Sequence, residues 1–241
     1  ISMAEHLPGR GGMMVQAEDE IASICMVIGA SFGGKRAMTS TSGPGLSLMV
    51  EALGFASHIE IPCVVVNVQR GGPSTGMPTK TEQSDLQLAV YGAHGDSPRV
   101  VLAAENVRTC FDTTVKAFYL AETYQTPVLV MTDQNIGHRE ETLPADAFAE
   151  GNAFRAIGKR KLPDLKPGEP YKRFQLGDDP VSPMAIPGME GGCYRTSGII
   201  HDETGNPNLA TDMHRRMSEK LVRKMERILG EFPGYRREGP S

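Results

Sequence analysis

Three stretches of this 241-residue sequence combine residue types that could do chemistry. The first is Gln16-Ala17-Glu18-Asp19-Glu20-Ile21-Ala22-Ser23, followed by Gly29-Ala30. A carboxylate in the first turn of a helix is favoured by the helix dipole, and small residues at 22, 23, 29 and 30 let that helix approach a neighbour or a ligand closely. Acids at a helix start also serve as ordinary caps, so the triplet alone does not define a site. The second stretch, Thr39-Ser40-Thr41-Ser42-Gly43-Pro44-Gly45, lies where a strand passes into a helix. Its glycines shape a tight turn whose backbone N–H groups and hydroxyls can face a ligand. It lacks the Gly-Lys-Ser/Thr ending of a Walker loop and the G-x-G-x-x-G spacing of a dinucleotide site. The third runs from Asn67 through Arg70-Gly71-Gly72-Pro73-Ser74-Thr75-Gly76 to Pro78-Thr79-Lys80. A guanidinium projecting from a strand end, flanked by the hydroxyls of Ser74, Thr75 and Thr79, suits bidentate capture of a carboxylate. His94-Gly95-Asp96-Ser97-Pro98 reads as a structured turn.

These stretches need a scaffold, and residues 1–150 supply its pattern. Apolar runs predict strands at 36–41, 63–68, 100–103 and 128–132, each suited to cover on both faces. Helical periodicity predicts helices at about 19–31, 46–57 and 106–124, the last with Val107, Phe111, Val115 and Phe118 on one face. Alternating strand and helix predicts an α/β fold, a mostly parallel sheet with helices on both faces. The composition then changes: residues 151–241 hold 12 of the 27 Gly and 9 of the 17 Pro, which reads as a loop-rich arm attached to the same domain. One helix punctuates it, with Thr211 or Asp212 as N-cap and Met217, Leu221, Met225 and Ile228 on its apolar stripe. Arg215, Arg216, Lys220, Arg223, Lys224 and Arg227 read as its solvated faces.

Composition narrows the function classes. A formal net charge of −4, without a long run of either sign, argues against nucleic acid. The longest apolar runs, 24–28 and 63–66, fall well short of the roughly 18 residues of a membrane span. Cys25, Cys63, Cys110 and Cys193 form no C-x-x-C pair, which predicts reduced, mostly buried thiols in a cytoplasmic protein and no metal site in this chain. No secretory signal is visible, and an opening on Ile rather than Met suggests upstream sequence.

The order of the motifs adds a family resemblance. Glu20 precedes Gly29-Ala30 by nine residues; Gly34-Lys35, a strand, Thr41-Ser42-Gly43-Pro44-Gly45 and Ile61-Pro62-x-Val64-Val65-Val66 follow. This series resembles the pyrimidine-binding domain of thiamine diphosphate enzymes. The string from Arg70 to Thr79, His94-Gly95-Asp96 and His201-Asp202-Glu203-x-Gly205-x-Pro207 resemble the alpha subunit of 2-oxoacid:ferredoxin oxidoreductases, on the 2-oxoglutarate side. The resemblance covers about residues 1–230. The family's Tyr-Pro-Ile-Thr-Pro strand would precede Ile1, and a further domain would follow the last helix; neither lies within these 241 residues.

The resemblance implies oxidative decarboxylation of a 2-oxoacid, with 2-oxoglutarate favoured, to its acyl-coenzyme A. Thiamine diphosphate would be the cofactor, ferredoxin the electron acceptor, and iron–sulfur clusters would sit on a partner only. Glu20 would assist proton transfer on the cofactor's aminopyrimidine, Ser42, Gly43 and Asn67 would line the cofactor, and Arg70, Ser74, Thr75 and Thr79 would bind the substrate. Neither Gly95-Asp96-Ser97 nor Gly177-Asp178-Asp179 offers a Mg²⁺ motif, so Mg²⁺ and the diphosphate would be held by a beta subunit. Two alternatives remain at this stage: a non-oxidative thiamine diphosphate-dependent decarboxylase or carboligase, and a cofactor-free scaffold subunit.

Overall fold

The computed structural model describes residues 2–147, 157–166 and 168–232. Four strands, β1 (Met38–Thr41), β2 (Cys63–Gln69), β3 (Val100–Ala103) and β4 (Pro127–Asp133), form one wholly parallel sheet in the order β1-β2-β4-β3. The helices are α1 (Ser2–His6), α2 (Glu20–Phe32), α3 (Pro44–His58), α4 (Leu86–Tyr91), α5 (Val107–Tyr124), α6 (Gln134–His138) and α7 (Thr211–Leu229). No described helix is long and apolar enough to cross a membrane.

The sequence of crossovers explains the layering. The steps from β1 to β2 and from β3 to β4 run in opposite directions across the sheet, so right-handed connections place α3 and α5 on opposite faces. The core divides accordingly. Cys63, Val65, Leu129 and Met131 meet Ile24 of α2 and Leu46, Met49 and Leu53 of α3. Val64, Val128 and Val130 meet Ala117, Leu120 and Ala121 of α5 and Ile228 of α7. Alternate residues of β2 and β4 thus serve both layers, which is why these strands read as continuous apolar runs.

Local signals set the helix starts. Asp19 is the N-cap of α2, its carboxylate accepting from Ala22 N–H at 2.7 Å, so one acid of the triplet is structural and Glu20 becomes the first helical residue. Pro44 occupies the first turn of α3, where its missing N–H costs nothing. Asn106 and Thr109 cap α5 reciprocally.

The Gly- and Pro-rich segment is a strap packed into both layers. Met184 enters the first core and Val181 the second, while Phe174 is buried against Tyr194 and His201. Arg160 donates to both carboxylate oxygens of Glu122 on α5, at 2.5 and 2.9 Å, and to Ser31 O, Ser31 Oγ and Lys35 O at the end of α2.

Three expectations are corrected here. α7 begins at Thr211 with Ala210 as N-cap and no side-chain cap, so neither Thr211 nor Asp212 takes that role; Asp212 instead pairs with Arg215 in the first turn. Lys220 and Lys224 are not solvated. They occupy the same buried stripe as Met217 and Ile228, with relative exposures of 2 % and 1 %, and both reach Glu60 at the end of α3. The thiols, finally, are reduced but not mostly buried: Cys25 and Cys193 are exposed, Cys110 is half-buried, and only Cys63 is enclosed, where burial pushes its thiol up to about 12.

Candidate active site

The carboxyl ends of parallel strands are where such sheets bind ligands, because strand ends and helix starts leave backbone groups and side chains facing one crevice. Here β1 delivers Thr41 and β2 delivers Asn67. The two are register partners on adjacent strands. Thr41 Oγ1 and Asn67 Oδ1 are both buried and both lack a hydrogen-bond partner. A buried polar atom without a partner costs about 1–3 kcal/mol, so two on adjacent strand ends mark a place that a ligand would complete.

Glycines bring the other residues to this spot. Gly45 lies in the first turn of α3, and a Cβ there would stand 2.0 Å from Thr41 Oγ1, 2.8 Å from Glu20 Cγ and 3.1 Å from Glu20 Oε1. The absent side chain is therefore the space into which the Glu20 carboxylate leans. Gly43 has φ of 55°, and a Cβ there would meet Arg70 Nε at 2.8 Å. The Arg70 stem thus lies across the β1–α3 turn. Its Nε is buried without a partner. Glu20, Thr41, Ser42, Gly43, Gly45, Asn67 and Arg70 come from two strand ends and two helix starts to form one half-buried edge.

Ser74, Thr75 and Thr79 are placed differently. They lie on an exposed loop that closes on itself through Gly71 N–H to Lys80 O (2.9 Å) and Met77 N–H to Gly71 O (2.8 Å). None of the three hydroxyls hydrogen-bonds Arg70. Glu18 is exposed, and Gly29-Ala30 faces solvent. His94-Gly95-Asp96 is a separate turn near α7, and Gly95 and Asp96 line a cleft of about 340 Å³ whose lining includes none of the carboxyl-edge residues. His201 is buried against Phe174 and His58, with ring centroids 4.0 and 4.9 Å away. Asp202 and Glu203 accept hydrogen bonds from Thr204, Asn206 and Leu176 N–H groups. This motif shapes the strap, and burial keeps the His201 imidazole below its ordinary pKa.

Sequence reasoning missed Thr41 as a separate contributor, and missed Gln69, Gln83, Asp85 and Asp133, which bond around the edge. The polar residues of β2 after four apolar ones were the available signal. Among the described residues no cluster of three or more His, Cys, Asp or Glu could hold a metal ion.

The chain is a parallel α/β domain whose carboxyl edge gathers buried polar groups without partners, the place where such sheets bind ligands. Residues 1–220 match the family model described as pyruvate flavodoxin/ferredoxin oxidoreductase, thiamine diphosphate-binding, and the chain belongs to that family. It is similar to the 2-oxoglutarate synthase subunit KorA of Methanocaldococcus jannaschii, with 43 % identity over 232 residues, 96 % of this chain and 60 % of that protein. It is also similar to the 2-oxoacid:ferredoxin oxidoreductase 1 subunit alpha of Sulfurisphaera tokodaii, with 40 % identity over 92 % of this chain and 34 % of that one. Among solved structures, a 2-oxoglutarate:ferredoxin oxidoreductase from Magnetococcus marinus with 2-oxoglutarate, coenzyme A and succinyl-CoA bound superposes with a TM-score of 0.86 at 46 % identity, covering 99 % of this chain and 41 % of that one. The chain spans about 60 % or less of the length of these relatives.

Proposed function

We propose that this chain is the alpha-subunit portion of a 2-oxoacid:ferredoxin oxidoreductase that converts 2-oxoglutarate, coenzyme A and oxidised ferredoxin to succinyl-coenzyme A, CO₂ and reduced ferredoxin. The observation that carries the reading is the convergence of the Glu20 carboxylate, the Gly45 gap and the two unpartnered groups of Thr41 and Asn67 on one strand edge. An aminopyrimidine offers donors and acceptors on one rim and fits such a set.

When bound, thiamine diphosphate supplies the nucleophilic carbon and the electron sink for loss of CO₂. Glu20 would set its carboxylate against a pyrimidine ring nitrogen and assist proton transfer there, an assistance worth on the order of 10² to 10⁴ in rate. Thr41 and Asn67 complete their hydrogen bonds on the same ring, with Ser42 and Gly43 lining its approach. Arg70 anchors a substrate carboxylate through its planar fork, and the Ser74, Thr75 and Thr79 hydroxyls close over that acid from the loop. The diphosphate and its Mg²⁺ would be held by a beta subunit facing this edge. Iron–sulfur clusters, if carried by the partner, would supply the one-electron chemistry that ferredoxin reduction needs. The reading makes the chain a cytoplasmic component of a heteromer.

The test is reconstitution with a beta subunit of the same family. Ferredoxin reduction that requires both 2-oxoglutarate and coenzyme A is the expected result, with little thiamine diphosphate bound by the isolated chain. An assembled complex that binds no thiamine diphosphate would overturn the enzyme reading in favour of a scaffold. Product formation without ferredoxin would favour the non-oxidative decarboxylase.

A further inference from the structure

The loop that follows Arg70 leaves the sheet edge and returns to it at Asp85, the N-cap of α4. Within the loop, Gly71 N–H bonds Lys80 O and Gly72 N–H bonds the Glu82 carboxylate at 3.2 Å. These bonds give the loop a shape but do not fix where it sits. Its position comes from three side-chain bonds to the sheet. Asn67 Nδ2 donates to Asp85 Oδ2 at 2.9 Å, Asp85 N–H donates to Gln69 Oε1 at 3.1 Å, and Gln83 Nε2 donates to Asp133 Oδ2 at 2.6 Å.

The anchoring ends are rigid. Gln69 and Asp133 are register partners at the ends of β2 and β4 and are 6 % and 4 % exposed. Asp133 is held by its second oxygen, which accepts Ile136 N–H as the N-cap of α6 at 2.9 Å. Gln69 also donates to Thr132 O at 3.4 Å. Ordering the loop costs backbone entropy, and an exposed loop with three glycines has little apolar burial to offset that cost. The return leg must carry it through polar bonds to buried strand ends. Among the three, the Gln83–Asp133 bond is the shortest, and like the Asn67–Asp85 bond it ends on a carboxylate.

We propose that Gln83 and Asp133, together with the Asp85–Gln69 bond, form a positioning clamp that sets the height of the Arg70–Thr79 loop over the sheet edge and so governs affinity for the substrate acid. Neither Gln83 nor Asp133 touches the reacting atoms. The inference rests on the reading of Arg70 as the carboxylate anchor.

The experiment uses the assembled complex. Gln83→Glu sets a second carboxylate against Asp133, and two carboxylates at that distance repel. KM for 2-oxoglutarate is expected to rise about tenfold, equivalent to about 1.4 kcal/mol, with kcat within about threefold of wild type. The double variant Gln83→Glu with Asp133→Asn restores an amide–carboxylate bond of the opposite polarity, and Asn remains a good N-cap for α6, so KM should return toward wild type. Hydrogen exchange at the Gly71, Gly72 and Met77 amides reports the loop without substrate, and it should quicken in the single variant and recover in the double. Unchanged exchange and KM in Gln83→Glu overturn the clamp, as does a KM defect that the double variant fails to repair. If exchange behaves as expected while the wild-type complex turns over no 2-oxoacid, the proposed function fails and the clamp stands only as a loop anchor.

Discussion

The two edges of one parallel sheet handle charge in opposite ways. At the amino edge, Glu60 is enclosed with Lys220 and Lys224, Ser182 and the Gln125 carbonyl, and Arg173 donates to the Glu60 carbonyl at 2.6 Å. Burial pushes the Glu60 carboxyl up, but Lys220, Lys224 and Arg173 together overcome it and hold it well below the usual range. Burial drives both lysines down, Lys224 to about 8. At the carboxyl edge, Glu20 and Arg70 are half-buried, and Arg70 Nε, Thr41 Oγ1 and Asn67 Oδ1 have no partner. The amino edge is a weld made of its own ions. The amino edge also holds buried atoms without partners, Arg173 Nε and Nη1 and Gln125 Oε1, so what separates the two edges is that buried cations meet a buried carboxylate at Glu60, whereas Glu20 and Arg70 at the carboxyl edge are half-buried and form no such cluster.

The sharpest break would come from Glu20→Gln, which should slow turnover of the assembled complex by about 10² to 10⁴ while leaving the thermal unfolding midpoint near wild type. An equal loss in Glu18→Gln would move the site to the other acid. The converse variant, Glu60→Ala, should leave activity per folded molecule unchanged and cost about 3–5 kcal/mol of stability, because it strands buried cations; denaturant unfolding measures it.

The pH dependence sharpens the same contrast. Between pH about 8 and 10.5 an unfolded lysine still holds the proton that Lys224 has released, so stability from this group should rise with pH across that window. Lys224→Met should flatten that rise in unfolding midpoints taken at successive pH values. Arg70→Ala should raise KM for 2-oxoglutarate by roughly ten- to a hundredfold with Arg70→Lys recovering only part, since the planar fork is lost. The smallest expected effect is Thr79→Ala, a change of a few-fold in the preference for a dicarboxylic over a monocarboxylic oxoacid, about 0.5–1.5 kcal/mol for one neutral hydrogen bond, read by competition kinetics.

Much of the scaffold was legible because its signals are local. β3 falls on the expected residues, and β2 and β4 differ from expectation by one residue at their ends, since β-branched runs between helices have few other folds open to them. The Thr-Ser-Gly-Pro-Gly turn was legible as a strand-to-helix passage, and Arg70 as a residue at the end of a strand, for the same reason. What stayed hidden depends on partners distant in sequence. Lys220 and Lys224 look like solvated positions of a basic helix, and only Glu60, 160 residues upstream of Lys220, makes them core residues. The Thr41–Asn67 pairing is a matter of strand register, and Gln83 finds Asp133 50 residues later through the crossover that inserts β4 between β2 and β3.

The Arg160 clasp has a consequence for how such a chain is made. Its guanidinium joins α5 on one layer to the end of α2 on the other, and it is synthesised 129 residues after Ser31. At about 5–20 residues per second, the earlier residue waits some 6–26 seconds, and Glu122 several seconds, before the counter-charge leaves the ribosome. Between the synthesis of Glu122 and that of Arg160 the growing chain carries this carboxylate without its guanidinium. A chaperone acting on this protein would find its substrate in that window, and a synonymous change that slows translation between residues 122 and 160 would lengthen it.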